Sequence, residues 1–336
     1  MKIPHFQNAI LYFSPDNDAF YKIRNIWNPH DLWKKAHPLI GWVRNLPTAE
    51  NPLGLDPATL SILRENAPKI FFYGDSYVTG MSNNQIKIPD FMDEKTRPFR
   101  VASFACASYG LDQIFLMFKN SYALDPDALF LVGIYMDDIH RLILSYRTLQ
   151  KPFFDLSPTG ELVLKGLPLD PDQRSYLKRN PLFVGSYFLR FLHRYFLKES
   201  RKQRAALRER KEKVTSALIR EFARIAKREN RRLAFVLFFN ESDMGKEPWQ
   251  RKLLVEEFRR HEVPFVATDL LLKDHARKNG LALSAFYDPE NYHHSDLGNQ
   301  VIADGLLEFL ERQGWLGDRA DPRPLLRRIP QDQFAA

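Results

Sequence analysis

The chain has 336 residues, of which 44% are hydrophobic and 13% aromatic, and its formal net charge is +8. That length and composition suffice for a large folded domain, and they exclude a chain that is disordered throughout. The single cysteine, Cys106, excludes an intramolecular disulfide framework and a cysteine-based metal cluster.

The first 60 residues are rich in aromatics and prolines but have little regular periodicity. We expect residues 1–60 to be a lead-in that packs on the main domain through aromatic anchors such as Trp42. The N terminus lacks the continuous apolar stretch of a signal peptide or of a membrane helix. A cytoplasmic location is therefore the expectation, and an incomplete N terminus would leave export open.

The main domain, residues 61–316, opens on an apolar run, Ile70 to Tyr73, that ends at Gly74. A run that is apolar on both faces predicts a buried strand. Ser76 follows at the carboxyl end of that strand, where open α/β sheets bind their ligands, so it is a candidate nucleophile. Asp75 and Ser76 are also favoured helix-capping residues, so a purely structural role is the alternative.

Two more strands are predicted at 99–104 and 128–135, with a helix at 111–121 between them. Strands separated by helices indicate parallel βαβ units. Residues 136–180 interrupt this alternation of strands and helices. Within them, residues 151–170 are predicted to form a small β-hairpin. The excursion is either a lid or substrate wall over the site, or a packed surface hairpin.

The second half of the main domain continues the alternation. A four-residue apolar stripe, spaced by four, four and three positions, predicts that a long helix at 201–229 docks on the sheet. The whole pattern predicts an α/β fold, a three-layer doubly wound sandwich on a five-stranded parallel sheet, with residues 317–336 as a tail. The remaining predicted elements are strands at 233–239 and 263–268 and helices at 56–66, 181–197, 249–261, 269–279 and 296–310.

The basic character of the chain is concentrated in one segment. Residues 198–232 contain fourteen Lys or Arg and five Glu, a surplus of nine (14 − 5) that exceeds the net charge of the whole chain. A solvated helix face is the ordinary explanation, and an anionic partner is the alternative. Nucleic acid is not supported, because neither interleaved aromatic residues nor a reader motif accompanies the charge.

Four polar blocks lie near predicted strand ends, in a fixed order along the chain. They are GDS at 74–76, SYGLDQ at 108–113, GIYMDDIHR at 133–141 and HHSDLGNQVIA at 293–303. Over roughly residues 38–312 this arrangement resembles the SGNH, or GDSL-like, serine hydrolases, including bacterial carbohydrate acyl-esterases and acyltransferases. The resemblance implies a flavodoxin-like sheet and Ser76 as the nucleophile. Since no glycine-rich phosphate loop, His-x-x-x-His pair or Cys-x-x-Cys pair occurs at a useful spacing, the sequence predicts neither a cofactor nor a metal.

The last block supplies the base that the resemblance requires. His293 stands two residues before Ser295 and five before Gly298, which fits the family's catalytic histidine better than His294 does. The acid is less clear, because Glu290 stands where the family has Asp. Asn291 and Asp288 are the neighbouring alternatives for the third position, and a dyad without an acid is also possible.

The resemblance also departs at the oxyanion hole. Ser108 stands in place of the family's glycine, and Asp137 in place of its asparagine. An ionised carboxylate would repel a developing oxyanion, and the loss of a side-chain donor there typically costs about 10²- to 10³-fold in rate. Asp137 must therefore be protonated, turned away, or bound to a substrate hydroxyl or ammonium group.

These residues predict a serine esterase that cleaves an acyl or acetyl ester, and the resemblance implies a carbohydrate or another small molecule as the substrate. An O-acyltransferase acting on a glycan acceptor is the first alternative, and exclusion of water by the excursion would favour it. A non-catalytic binding or scaffold protein on a decayed hydrolase fold is the second, and the altered acid and oxyanion positions favour it.

Overall fold

The computed structural model describes residues 35–80, 86–170 and 201–316, together with a few single positions. The single positions are Asp18, Tyr21, Lys22, Asn84, Asp172, Ser186 and Phe188. Most of the N-terminal lead-in, most of the predicted helix at 181–197 and the tail at 317–336 therefore lie outside the described residues. Within the described ranges, no helix is long and apolar enough to cross a membrane.

Five strands form the central sheet, and a short antiparallel pair, β1 (Ala36–His37) and β2 (Gly41–Trp42), precedes them. The five are β3 (Lys69–Tyr73), β4 (Arg100–Ser103), β5 (Leu129–Tyr135), β8 (Leu233–Phe238) and β9 (Phe265–Ala267). They are parallel and lie in the order β4-β3-β5-β8-β9. In chain order along the sheet this is 2-1-3-4-5, the flavodoxin-like order that places the first strand next to the middle of the sheet. The predicted three-layer fold with five parallel strands is confirmed.

Helices cover both faces of this sheet, and alternate residues of each strand face opposite layers. Phe71 and Tyr73 of β3 pack into one apolar cluster, and Ile70 and Phe72 pack into the other. The helices are α1 (Pro57–Arg64), α2 (Ser76–Thr79), α3 (Ile88–Lys95), α4 (Leu111–Ser121), α5 (Met136–His140), α6 (Arg201–Arg228), α7 (Trp249–Arg260), α8 (Thr268–Asn279) and α9 (Asp296–Arg312), with 3₁₀ turns at Tyr122–Leu124, Arg141–Ile143, Glu241–Asp243 and Leu283–Phe286. Helices α1, α4, α6 and α7 contribute to the first cluster, and α3, α8 and α9 to the second.

Strand β3 is the best buried part of the sheet. Phe71, Phe72 and Tyr73 are all fully shielded from solvent. Each such side chain contributes about 1.5–3 kcal/mol through burial, so the backbone leading to Gly74 is held firmly on both faces. The buried strand therefore holds the turn that carries Ser76 in a fixed position.

The excursion after β5 contains the predicted hairpin, formed by β6 (Phe153–Leu156) and β7 (Leu162–Lys165). It packs on helices rather than standing free: the rings of Phe154 and Phe115 of α4 meet edge to face at 5.7 Å. The ammonium group of Lys151 forms a fully buried ion pair with Asp112. The described part of the excursion is thus fastened to one helical layer, and its remainder, residues 171–180, lies outside the described residues except for Asp172.

The long basic helix, predicted at 201–229, spans Arg201–Arg228 as α6. Its predicted stripe is buried, with Val214, Leu218, Phe222 and Ile225 all at most 4% exposed. Several of its exposed cations are paired within the helix, as in the bridge from Arg208 to Glu212 at 2.7 Å. Such exposed pairs contribute little to stability, and an anionic partner for this helix stays a prediction.

Candidate active site

The candidate nucleophile lies in a tight turn between β3 and the short helix α2. The Asp75 carboxylate accepts a hydrogen bond from the backbone N–H of Tyr77 at 2.9 Å and so caps this helix. A Cβ atom at Gly74 would lie 2.4 Å from the Val78 side chain, so only glycine permits this close approach. The turn therefore places Ser76 at the carboxyl edge of the sheet.

The candidate base lies in a compact loop that leads into α9. The backbone N–H of Asp288 donates to the carbonyl of His293 at 2.8 Å, which closes the loop. Ser295 caps α9 by accepting from the N–H of Gly298 at 3.2 Å. A Cβ atom at Gly298 would lie 2.3 Å from the Phe286 carbonyl oxygen, so this glycine lets α9 approach the loop closely. These contacts fix the direction in which the His293 ring leaves the backbone.

The two segments meet at one hydrogen bond. His293 Nε2 lies 2.8 Å from Ser76 Oγ, and His293 Nδ1 lies 2.9 Å from the backbone carbonyl oxygen of Asn291. A carbonyl oxygen can only accept, so Nδ1 carries the proton in the neutral ring. The lone pair of Nε2 then faces the serine hydroxyl, which is the arrangement that a general base requires.

The three predicted candidates for the acid do not contact this ring through a carboxylate. Glu290 is exposed, and its backbone N–H donates to Asp288 at 2.7 Å. The second oxygen of Asp288 accepts from the side-chain amide of Asn291 at 2.9 Å, while the carbonyl oxygen of that amide accepts from the backbone N–H of His293. Among the described residues, the partner of Nδ1 is thus a main-chain carbonyl rather than a carboxylate.

His294, the alternative base, points into the core. It is 2% exposed, its two ring nitrogens have no hydrogen-bond partner among the described residues, and its ring packs edge to face on Tyr77 at 5.0 Å. Burial, together with the positive charge that His293 can carry, lowers the pKa of His294 to about 3. His294 is therefore a neutral core residue, and the structure does not bring it to Ser76.

Ser108 has the backbone conformation that a glycine would be expected to have. Its φ angle is +67°, in the left-handed region that few residues other than glycine enter. Among the described residues, the backbone N–H groups of Ser76 and Ser108 have no acceptor within the protein. Two unsatisfied donors close to the carboxyl edge of the sheet are the elements from which an oxyanion hole is built.

Asp137, at the third-block position, is turned toward a cation. Its Oδ2 lies 3.2 Å from Nη2 of Arg141, and its side chain is 44% exposed. The same guanidinium contacts Asp138 Oδ1 at 2.8 Å and Asp75 Oδ2 at 3.3 Å. The carboxylate that would repel an oxyanion is thus paired with a positive charge.

Two supporting residues were not found from the sequence. The Tyr77 ring stacks on the ring of His293 at a centroid distance of 4.8 Å and an angle of 27°. The side-chain amide of Asn84 donates both to the backbone carbonyl of His294 at 3.2 Å and to Asp296 at 3.1 Å. Only the position of Tyr77 directly after Ser76 could have indicated its role, and no sequence pattern indicated that of Asn84.

No protein-family profile matches this chain, and no curated protein does. Solved structures with a similar fold exist, and many of them are GDSL-type lipases or acylhydrolases. A lipase/acylhydrolase from Enterococcus faecalis is 9% identical, with 73% of this chain and 96% of that chain covered and a TM-score of 0.41. A GDSL-like lipase from Bacteroides thetaiotaomicron is 13% identical, with 76% and 95% covered and a TM-score of 0.41.

Protein YxiM from Bacillus subtilis is 11% identical over 79% of this chain, with a TM-score of 0.42, and this chain spans 59% of its length. All three identities lie far below those that transfer a function, so conclusions about activity have to come from the residues of this chain.

Proposed function

We propose that this protein is a serine hydrolase of the SGNH type that cleaves an acyl ester. The observation that carries the proposal is the 2.8 Å hydrogen bond between Ser76 Oγ and His293 Nε2. A serine hydroxyl is unreactive at neutral pH unless a base removes its proton during attack. The ring of His293 is in the tautomer that does so, because its other nitrogen donates to a carbonyl.

The reaction follows from this geometry. As the ester carbonyl carbon is attacked by Ser76 Oγ, the hydroxyl proton passes to His293 Nε2, and the carbonyl oxygen becomes an oxyanion near the N–H groups of Ser76 and Ser108. When the tetrahedral intermediate collapses, the alcohol leaves with the proton from Nε2. Water then attacks the acyl-enzyme with the same base, and the acid product is released.

The carbonyl of Asn291 does part of the work that a carboxylate does in a triad. It fixes the ring orientation and the tautomer of His293. It stabilises the imidazolium with a dipole instead of a full charge, and a hydrogen bond to a charged partner is roughly twice as strong as a neutral one. We therefore propose a dyad with main-chain support, in which Glu290 takes no direct part.

The polar groups beside the site favour a neutral, hydroxyl-bearing substrate. The rings of Tyr77 and Tyr135 lie 4.6 Å apart, and the Tyr135 hydroxyl accepts a hydrogen bond from Asn240 at 2.6 Å. Burial, and then the charges of Asp243 and Asp137, raise the pKa of Tyr135, so its hydroxyl stays protonated. The carboxylates of Asp243 and Asp137 near Tyr135 disfavour an anionic ester. We therefore propose an acetyl ester of a carbohydrate or of a similar small molecule.

A serine-directed fluorophosphonate probe and a panel of short-chain aryl esters and acetylated sugars test the proposal. We expect the purified protein to hydrolyse at least one ester and to be labelled at Ser76. Ser76→Ala should abolish both, and His293→Phe should reduce both by about 10³-fold or more. Ser284→Ala, at an exposed serine, is the matched control and should leave both intact.

Inactivity on the whole panel together with an unlabelled Ser76 would overturn the proposal and leave a non-catalytic scaffold as the explanation of the fold. If the product analysis instead finds the acyl group on a supplied glycan hydroxyl, the reaction is acyl transfer through the same acyl-enzyme.

A further inference from the structure

Arg141 is a buried cation that joins three separate segments of the candidate site. It directly follows helix α5 and is 6% exposed. Its Nη1 contacts Asp75 in the nucleophile turn and donates to the backbone carbonyl of Tyr109 at 2.6 Å, and Tyr109 directly follows Ser108. Its contacts with Asp137 and Asp138 bring in the third segment. One side chain thus fixes the nucleophile turn, the Ser108 loop and the end of β5 relative to one another.

The carboxylates around Arg141 are not equivalent. Asp75 and Asp138 are buried, with side-chain exposures of 1% and 0%, whereas that of Asp137 is 44%. Asp138 also accepts a hydrogen bond from the backbone N–H of Tyr135 at 2.9 Å, so it serves the turn that follows β5. Asp137 is therefore the carboxylate that a bound substrate can meet.

A short chain of contacts links Asp137 to the nucleophile. Asp137 contacts Nη2 of Arg141, Nη1 of the same group lies 3.3 Å from Asp75 Oδ2, and that oxygen lies 3.4 Å from Ser76 Oγ. Without its cation, the Asp137 carboxylate would raise the energy of an oxyanion formed on the Ser76 side of this chain of contacts, because like charges repel.

We propose that Arg141 is the positioning residue that makes Asp137 compatible with ester cleavage at this site. Its guanidinium, which it shares among Asp137, Asp138 and Asp75, offsets part of the negative charge of Asp137. Through the Tyr109 carbonyl it also holds the Ser108 loop that supplies an oxyanion donor. The inference rests on the proposed hydrolase function and adds a residue to it. It predicts a specific energetic coupling between positions 141 and 137, not merely a loss of activity at 141.

A purely structural role would have a different signature. Removing the guanidinium leaves Asp75 and Asp138 buried without a cation, and breaking a buried pair in this way is strongly destabilising. Arg141→Met would then lose activity through misfolding, and a change at the partly exposed Asp137 would not restore it. The experiment must therefore separate rescue of rate from rescue of stability.

A double-mutant cycle makes that separation. The variants are Arg141→Met, Asp137→Asn and the double variant, with Asp138→Asn in the Arg141→Met background as the matched control. The readouts are the rate of fluorophosphonate labelling at Ser76, kcat and KM on an ester that the native protein cleaves, and thermal unfolding. If Arg141→Met does not fold, Arg141→Lys takes its place, because it keeps the charge but cannot span the same contacts.

We expect Arg141→Met to reduce kcat and labelling by about 10²-fold with a smaller effect on KM, as for loss of a group that acts on the transition state. Asp137→Asn should improve the rate at least about tenfold more in that background than in the native one. Asp138→Asn should recover thermal stability without recovering rate. Equal effects of Asp137→Asn in the two backgrounds would overturn the inference while leaving the hydrolase proposal intact, whereas an unlabelled, inactive native protein would overturn both.

Discussion

The buried neutral state of His294 makes a quantitative prediction about acid stability. The ring lies among aromatic side chains, with Phe238 at 5.9 Å and Tyr287 at 5.2 Å between ring centroids. Burial, and after it the neighbouring His293, lowers its pKa to about 3 in the folded protein. In the unfolded chain a histidine titrates near its ordinary pKa of about 6.5.

The sign follows from proton binding. Between pH 6.5 and pH 3 the unfolded chain binds a proton at this position and the folded protein does not, so the free energy of unfolding falls as the pH falls through that window. At one pKa unit per about 1.4 kcal/mol, lowering the pH from 7.5 to 4.5 should remove about 3 kcal/mol through this single group. Above pH 7 the contribution is constant, because both states are neutral.

Replacement of the ring isolates this contribution. His294→Phe leaves no titratable group in a pocket that already accepts aromatic rings, and His294→Leu serves if phenylalanine is too large. Urea unfolding of the native protein and the variant at pH 7.5 and pH 4.5 gives four free energies. We expect the native protein to lose about 3 kcal/mol more than the variant over this interval.

Equal losses in the two proteins would refute the reasoning, since other groups titrate alike in both. The same variant separates the two histidines functionally: fluorophosphonate labelling should survive His294→Phe and collapse in His293→Phe.

Three further outcomes follow from the structure. Glu290→Gln should keep the rate of fluorophosphonate labelling within about threefold of the native rate. Neutralising a true triad acid would instead lower that rate by about 10⁴-fold, and a time course of labelling at Ser76 distinguishes the two outcomes. Asp112→Asn leaves the buried ammonium of Lys151 without its carboxylate and should lower the free energy of unfolding by about 3–5 kcal/mol, measured by urea titration against the exposed Glu209→Gln as control. Ser108→Val should lower the free energy of unfolding by about 1–2 kcal/mol more than Ser108→Gly does, as measured by urea titration. The reason is that residue 108 has a φ of +67°, which a β-branched side chain disfavours and glycine allows.

The sheet could be predicted because its signal is local and redundant. The run Ile70 to Tyr73 is apolar at every position, so it reads as a buried strand in either register, and all of these side chains are fully buried. The stripe along α6 was equally plain. Helix α3, by contrast, was missed, since it has only eight residues, Ile88–Lys95, and so short a segment shows little helical periodicity.

The candidate site was predictable only where side-chain identity carries the chemistry. Ser76 and His293 lie 217 positions apart, and the order of the polar blocks was sufficient to bring them together. The partner of His293 Nδ1 is a main-chain carbonyl, and every residue has one, so no sequence pattern could identify it. Arg141 belongs to the third block, but its proposed role depends on contacts with two other loops that a linear sequence does not reveal.

The departures from the hydrolase pattern are each matched by a compensating feature. The absent acid is offset by the Asn291 carbonyl on His293, and Ser108 adopts the left-handed conformation of the glycine that it replaces. Asp137 is paired with Arg141. In a decayed scaffold these positions would drift independently, because nothing would maintain the tautomer, the backbone strain or the charge balance. Three separate compensations around one serine therefore support a working nucleophile over a relic, and the cycle at positions 137 and 141 tests whether the last of them acts on the rate.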